Sequence, residues 1–179
     1  MTTAARALLH ADLSPCYLGC DVQTTGMAWA ALSLDDGTVV GTGWLPFARG
    51  QQIEYEAAHA VGRMGRDLDA LDVRPVQVAV ERVGGGRGVQ SMLAVANAAG
   101  IVAGMIAMRF DTAGLWRPTP SEWKRLCGLS GNAGKAAVSE RARIIAGALV
   151  DDARQDIMDA VCIAWADRQA GIHAVGEAG

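Results

Sequence analysis

Lysine is almost missing from this chain of 179 residues: of 16 basic side chains, only Lys124 and Lys135 are lysines. A global positive field is missing as well. Acids outnumber bases 19 to 16, for a formal charge of −3, so any contact with a polyanion must be local. There are no zinc-like CxxC pairs. Cys16, Cys20, Cys127 and Cys162 lie in apolar or helical contexts, which points to reduced thiols in a cytoplasmic protein. The three histidines, His10, His59 and His173, are scattered and read as structural or exposed. No Gly-Lys-Ser/Thr follows the run Gly84-Gly85-Gly86-Arg87-Gly88, which excludes a Walker phosphate loop. Internal repeats, low-complexity segments and linkers are absent. The apolar stretch near the start, Ala4 to Leu9, is too short for a membrane span and has no convincing cleavage pattern, so no membrane association is expected.

What remains is the composition of one soluble globular domain, 51% hydrophobic and 20% charged. Residues 1–14 read as a flexible arm, 15–170 as the folded domain and 171–179 as a flexible tail. Cys16 to Asp21 is a short apolar run that ends in an acid, and Met27 to Leu34 is a second apolar run beyond a tight turn. Asp35-Asp36-Gly37 is a hairpin signal, and Thr38 to Leu45 is the third strand. From Gln51 to Leu71, Ile53, Ala57, Ala60, Val61, Met64 and Leu68 recur at helical spacing. Val76 to Glu81 is a fourth strand, again ending in an acid. Met92 to Met108 is a helix apolar nearly all round, which predicts burial on more than one side, against the sheet and a second copy of the protein. Thr112 to Trp116 makes a short fifth strand. Ser121 caps a short helix to Cys127, and helices follow over Lys135–Leu149 and Asp156–Ala170. These elements predict an α/β domain: a mixed five-stranded sheet, three antiparallel strands first, with helices on both faces.

The acids carry the chemical argument. Asp21 and Glu81 each close an apolar strand, and adjacent strands would set them side by side. Asp156 and Asp159 are three residues apart and share one helix face, flanking the side that packs inward. Gathered carboxylates repel, and protonation or a cation must relieve them. Oxygen ligands without Cys or His suit Mg²⁺ or Mn²⁺, and two such ions roughly 4 Å apart are the usual device for phosphodiester hydrolysis. Plainer readings stand beside this one. Asp21 could cap its turn, the helix acids could serve the helix dipole, and the glycine run could be a connector as readily as a phosphate contact.

Four motifs, in order across Tyr17 to Trp165, resemble those of the RuvC-type Holliday-junction resolvases of the RNase H-like nuclease superfamily. They are Tyr17-Leu18-Gly19-Cys20-Asp21 with Thr25-Gly26, then Val78-Ala79-Val80-Glu81, then Trp116-Arg117-Pro118 through Trp123-Lys124 to Lys135, and finally Asp156-Ile157-Met158-Asp159-Ala160. The resemblance implies an RNase H-like fold and a homodimeric, Mg²⁺-dependent endonuclease on Holliday junctions or other branched DNA such as forks and flaps. It would leave 5′-phosphate and 3′-hydroxyl ends. Asp21, Glu81, Asp156 and Asp159 would be the catalytic, metal-binding set. Lys124 and Lys135 would approach phosphates near the scissile bond, with Lys135 also in the catalytic set. A local basic patch of Arg87, Lys124, Arg125, Lys135, Arg141 and Arg143 would hold DNA, with binding that weakens as salt rises. The turn after Asp21 is shorter than the usual family version. The segment after Glu81 is glycine-rich where cellular relatives carry a bulky wedge, which leaves room for a structure-tolerant nuclease like the shorter phage relatives. Two other classes compete: a non-catalytic DNA-binding protein of the same fold, and an actin-like nucleotide-binding module, which also opens with strand, Asp and Thr/Gly turn.

Overall fold

β1 (Ser14–Gln23) is the central strand of the sheet, and its composition follows from that position. From Cys16 to Val22 the strand is buried throughout, because layers of helix cover both faces. The computed structural model describes residues 13–82, 88–110 and 114–176. The expected arm, the glycine run with Arg87 and the last residues of the tail lie wholly or mostly outside them.

β1 pairs antiparallel with β2 (Gly26–Ser33), which pairs antiparallel with β3 (Val39–Pro46). On its other side β1 pairs in parallel with β4 (Val73–Val80), which is flanked by a three-residue β5 (Gly114–Trp116). The order is β3-β2-β1-β4-β5, the expected five-stranded mixed sheet. Thr24 and Thr25 form the two-residue link between β1 and β2. The next hairpin turns at Gly37, whose φ of 77° suits glycine. There Asp36 Oδ1 accepts hydrogen bonds from the amide and hydroxyl of Thr38 at 2.9 and 2.8 Å.

The even-numbered residues of β1, Cys16, Leu18, Cys20 and Val22, face one core with Trp29, Val78 and Val80. Helices α1 (Ile53–Ala70) and α2 (Val89–Phe110) close that side through Ala57, Val61, Met64, Leu68, Val102 and Ile106. Truncating one of these large side chains to alanine costs about 2–5 kcal/mol. The odd-numbered side carries Tyr17, Ala28, Ala30 and Ala79. It is covered by α3 (Pro120–Leu126), α4 (Lys135–Ala146) and α5 (Gln155–Gly176). Trp29 and Trp123 are core residues at 2% exposure, while Trp44 and Trp116 are half-buried against the second core.

Two expectations need correction. First, α3 begins at Pro120, and its cap is Thr119 rather than Ser121. Thr119 accepts from the Glu122 amide, and Glu122 accepts from the Thr119 amide at 2.6 Å, a reciprocal pair with proline at the first turn. Second, α5 continues through Gly171 to Gly176, because one glycine lowers helix propensity by about 1 kcal/mol without ending a packed helix. Within the chain α2 buries one side and leaves an apolar side exposed. Val95, Ala98, Ala99, Val102 and Ile106 pack inward, while Val89, Leu93 and Met108 are 67%, 54% and 78% exposed. Among the described residues α2 is also the one helix long and apolar enough to cross a membrane by length and composition, although its inner side belongs to the core.

β1 and α5 meet backbone to backbone. A β-carbon on Gly19 would overlap the carbonyl oxygen of Ala160 and the amide nitrogen of Ala164, both backbone atoms of the covering helix. Gly19→Ala is therefore expected to cost about 2–4 kcal/mol and lower the melting temperature by roughly 5–15 °C. Gly62→Ala in α1, where a β-carbon meets open space, should be neutral or stabilising by up to ~1 kcal/mol. Thermal denaturation of both variants checks the contrast.

The same helix buries Asp167 to 5% exposure, and its Oδ2 has no hydrogen-bond partner among the described residues. Burial lifts this carboxyl from the ordinary range to about 7. The folded state then holds a proton that the unfolded state releases near pH 4, so stability falls as pH rises from about 4 to about 7 and levels off above that. The loss is on the order of 4 kcal/mol. Asp167→Asn should flatten this part of the stability–pH profile and leave the variant more stable than wild type at pH 8, as denaturant titration would show.

Candidate active site

Residues of alternating parity on β1 point to opposite faces, so Asp21 shares the α5 side with Tyr17 and Gly19. Along that side α5 runs antiparallel to β1: Gly171 lies near the Tyr17 hydroxyl, and Ala160 and Ala164 lie over Gly19. The first turns of α5, with Asp156 and Asp159, therefore meet the end of the strand where Asp21 stands. Glu81 arrives by the parallel ladder. The Glu81 amide donates to the Cys20 carbonyl at 3.0 Å, one step beyond the Cys20–Val80 pair, which brings it beside Asp21.

The electrostatics confirm the gathering. Asp21 is 2% exposed, and its carboxyl is raised well above the usual range. Burial is the main cause, followed by the charges of Glu81 and Asp159, with Asp156 adding less. Gln23 works in the opposite direction, its Nε2 donating to both carboxylate oxygens at 2.8 and 2.9 Å. Burial also raises Asp159, assisted by Asp156, while a hydrogen bond from Gln155 and the positive charges of Lys124 and Lys135 lower it. Gln155 Nε2 reaches Asp159 Oδ1 at 2.9 Å, and Gln155 Oε1 accepts from the Ser139 hydroxyl at 2.9 Å. Lys124 is held by the Ala133 carbonyl at 2.8 Å, and Lys135 is exposed at the start of α4. Arg154 sits 3.3 Å from Asp156 Oδ2.

The four sequence-selected acids thus converge, and both lysines stand within electrostatic reach of Asp159. Arg125 does not join them; it is exposed and its charge acts on Glu122. Arg141 is half-buried, with its guanidinium over the Trp165 ring at 5.7 Å and its Nε buried. Arg143 is exposed in the last turn of α4. The turn-cap reading of Asp21 fails, because its oxygens take their hydrogen bonds from Gln23 and its field comes from the other acids.

Sequence reasoning missed Gln23, Gln155 and Arg154. Gln23 could have been found by period two, since it follows Asp21 on the same face. Gln155 is four residues before Asp159, the helical spacing for an amide–carboxylate pair. It also missed the placement of Arg117, whose Nε donates to the Val80 carbonyl at 3.1 Å just before Glu81. Burial, and then the neighbouring Arg82, lower the Arg117 pKa. The donor set of the site is all oxygen, which suits a hard divalent cation. No three His, Cys, Asp or Glu side chains among the described residues are gathered tightly enough to grip a cation as they stand. The amides of Gln23 and Gln155 are the donors that hold Asp21 and Asp159 instead.

The fold is similar to that of solved RuvC structures. A Thermus thermophilus RuvC structure matches with a TM-score of 0.72 at 17% identity, over 90% of this chain and 97% of that one. A T. thermophilus RuvC in complex with Holliday junction substrate matches with a TM-score of 0.71 at 17% identity, over 90% and 96% of the two chains. The yeast mitochondrial Holliday junction resolvase matches with a TM-score of 0.56 at 14% identity, over 93% and 84%. No family model and no curated protein sequence matches the chain. At these identities the likeness establishes the RNase H-like fold.

Neutralising the central acid removes both its burial cost and its repulsion. Asp21→Asn is expected to raise stability at neutral pH by about 1–3 kcal/mol, a melting-temperature gain of roughly 3–10 °C. A drop in melting temperature for this isosteric change, measured by calorimetry, would contradict the charge crowding described above.

Proposed function

We propose that the protein is a metal-dependent endonuclease that hydrolyses phosphodiester bonds in Holliday junctions or related branched DNA, leaving 5′-phosphate and 3′-hydroxyl ends. The observation that carries this reading is the meeting of Asp21, Glu81, Asp156 and Asp159 at one end of the central strand pair, in a fold similar to that of RuvC bound to a Holliday junction substrate and of the yeast mitochondrial Holliday junction resolvase.

Asp21, Glu81, Asp156 and Asp159 would hold Mg²⁺, with Mn²⁺ as a substitute. Bound there, the metal would supply a nucleophilic water and stabilise the departing 3′-oxygen. The protein's own groups do the rest. β1 and α5 carry Asp21, Asp156 and Asp159, and Glu81 follows β4, so the backbone would bring the acids to one end of the sheet and a cation would draw their side chains together. Gln23 and Gln155 keep Asp21 and Asp159 hydrogen-bonded until a cation displaces the amides. Lys124 and Lys135 offset the acids' charge on the side of Asp159, where a phosphate would otherwise be repelled. Lys135 is exposed and able to reach a phosphate oxygen, and Lys124 is positioned through the Ala133 carbonyl.

The active form in this reading is a homodimer, each copy nicking one strand. The exposed side of α2, with Val89, Leu93 and Met108, supplies the apolar surface for the second copy.

The test is a labelled four-way junction incubated with protein and Mg²⁺ beside fork, flap and linear duplex controls. Cleavage of branched substrates with ligatable 5′-phosphate ends is expected. Asp21→Asn should lower the rate by at least about 10³-fold, and Lys135→Ala by roughly 10–100-fold. Absence of cleavage on every branched substrate, or undiminished cleavage by Asp21→Asn, would sink the reading. Binding of junctions without turnover in Mg²⁺ or Mn²⁺ would leave a non-catalytic DNA-binding protein.

A further inference from the structure

A cleft of about 380 Å³ opens beside the β1–β2 turn, lined by Thr24, Thr25, Trp44, Phe47, Arg49 and Arg154, among others. Its place relative to the acids follows from strand register. Asp21 pairs with Ala28, and Ala28 pairs with Trp44, so the three stand in one row across β1, β2 and β3. Residues directly opposite one another point to the same face, and two strand spacings put Trp44 roughly 10 Å from Asp21.

Arg154 joins the two places. Its guanidinium carbon lies 4.2 Å from the centre of the Trp44 ring, and its Nη2 is 3.3 Å from Asp156 Oδ2. Trp44 itself rests against Gly26, where a β-carbon would collide with the indole, so the ring is a fixed base for the guanidinium. The Arg154 side chain remains 55% exposed, with donors beyond the one that faces Asp156. Arg49 also lines the cleft and is exposed, next to Gly50 with its φ of 81°. The lining contains these two cations and no carboxylate, in a protein whose net charge is −3 and whose acids stand next door.

We propose that this cleft holds the cleaved DNA strand beside the scissile phosphate, with Arg154 and Arg49 on backbone phosphate and the Arg154 plane and Phe47 ring against a nucleotide. The proposal rests on the nuclease reading and adds a substrate-holding site to it. The chemistry matches at each point. Arginine pairs bidentately with phosphate, aromatic and guanidinium planes accept any base, and the threonine hydroxyls supply further donors. The volume lies in the range of about 300–1,000 Å³ typical of small-ligand sites, enough for one nucleotide. At 3.4 Å per step along a strand, roughly 10 Å corresponds to about three nucleotides from the scissile position. The cleft also explains how an acidic protein with few lysines could grip a polyanion next to a cluster of carboxylates.

The experiment measures binding of the Asp21→Asn protein to a fluorescent four-way junction across a salt series, before and after Arg49→Ala and Arg154→Ala are added. Each arginine replacement should weaken binding about 5–10-fold and reduce the slope of log K against log salt by about 1. Arg66→Ala, on the solvent side of α1, serves as the control and should change neither. Single-turnover cleavage at saturating protein should likewise be unchanged by Arg66→Ala in the otherwise wild-type chain. Arg49 is an exposed loop residue, so its variant reports even where Arg154→Ala disturbs the packing around Trp44. Junction binding by the Asp21→Asn parent with affinity and salt slope untouched by Arg49→Ala overturns the cleft proposal alone. Failure of the parent to bind any junction overturns the nuclease reading and the cleft together.

Discussion

The contact between Gly19 and the backbone of α5 is the constraint on which the rest of the molecule depends. Helices usually pack on sheets through side chains, and that spacing would keep acids on the helix away from acids on the strand. Here the strand has no side chain at the crossing point and the helix offers only Ala160 and Ala164. The two backbones meet, and the carboxylates of Asp21, Asp156 and Asp159 are drawn into one field. The small residues of the covering helix thus serve electrostatics as much as packing.

Crowding buried carboxylates opposes folding, and the structure offsets it in three ways. Amides from Gln23 and Gln155 satisfy the oxygens, Lys124 and Lys135 provide opposite charge near Asp159, and Arg154 pairs with Asp156. None of these arrangements neutralises Asp21 itself, whose carboxyl stays raised by burial and by its neighbours. A crowded site of this kind costs stability. The chain can carry that load because its two cores, on opposite faces of the sheet, bury large side chains such as Trp123, Leu18, Met64 and Ile106. Lysine is rare, and the charges of both lysines act on Asp159, while Arg154 stacks on Trp44 and Arg117 bonds the Val80 carbonyl.

Much of this was legible from the residues. Short apolar runs closed by Asp21 and Glu81, the Asp-Gly hairpin at Asp36-Gly37 and the helical spacing from Ile53 to Leu68 are local signals, and each appears as an element within a few residues of its expected bounds. Errors came where packing overrode local rules. Ser121 looked like a cap, but Thr119 reaches the Glu122 amide and completes the reciprocal pair.

By itself the sequence determined which chemical groups are available and on which element each one lies. Four acids in order, two lysines and a glycine ahead of the first acid are properties of local spacing, because strand and helix periods are set by the backbone. Which groups meet was decided only by tertiary structure. The parallel pairing of β1 with β4, the antiparallel course of α5 and the row from Asp21 through Ala28 to Trp44 are long-range contacts with no imprint on nearby residues. The same holds for Gln23, Gln155 and Arg154, ordinary polar residues until the fold sets them against the acids. Charge crowding is a property of distance in space, and that distance exists only once the helix has settled onto Gly19.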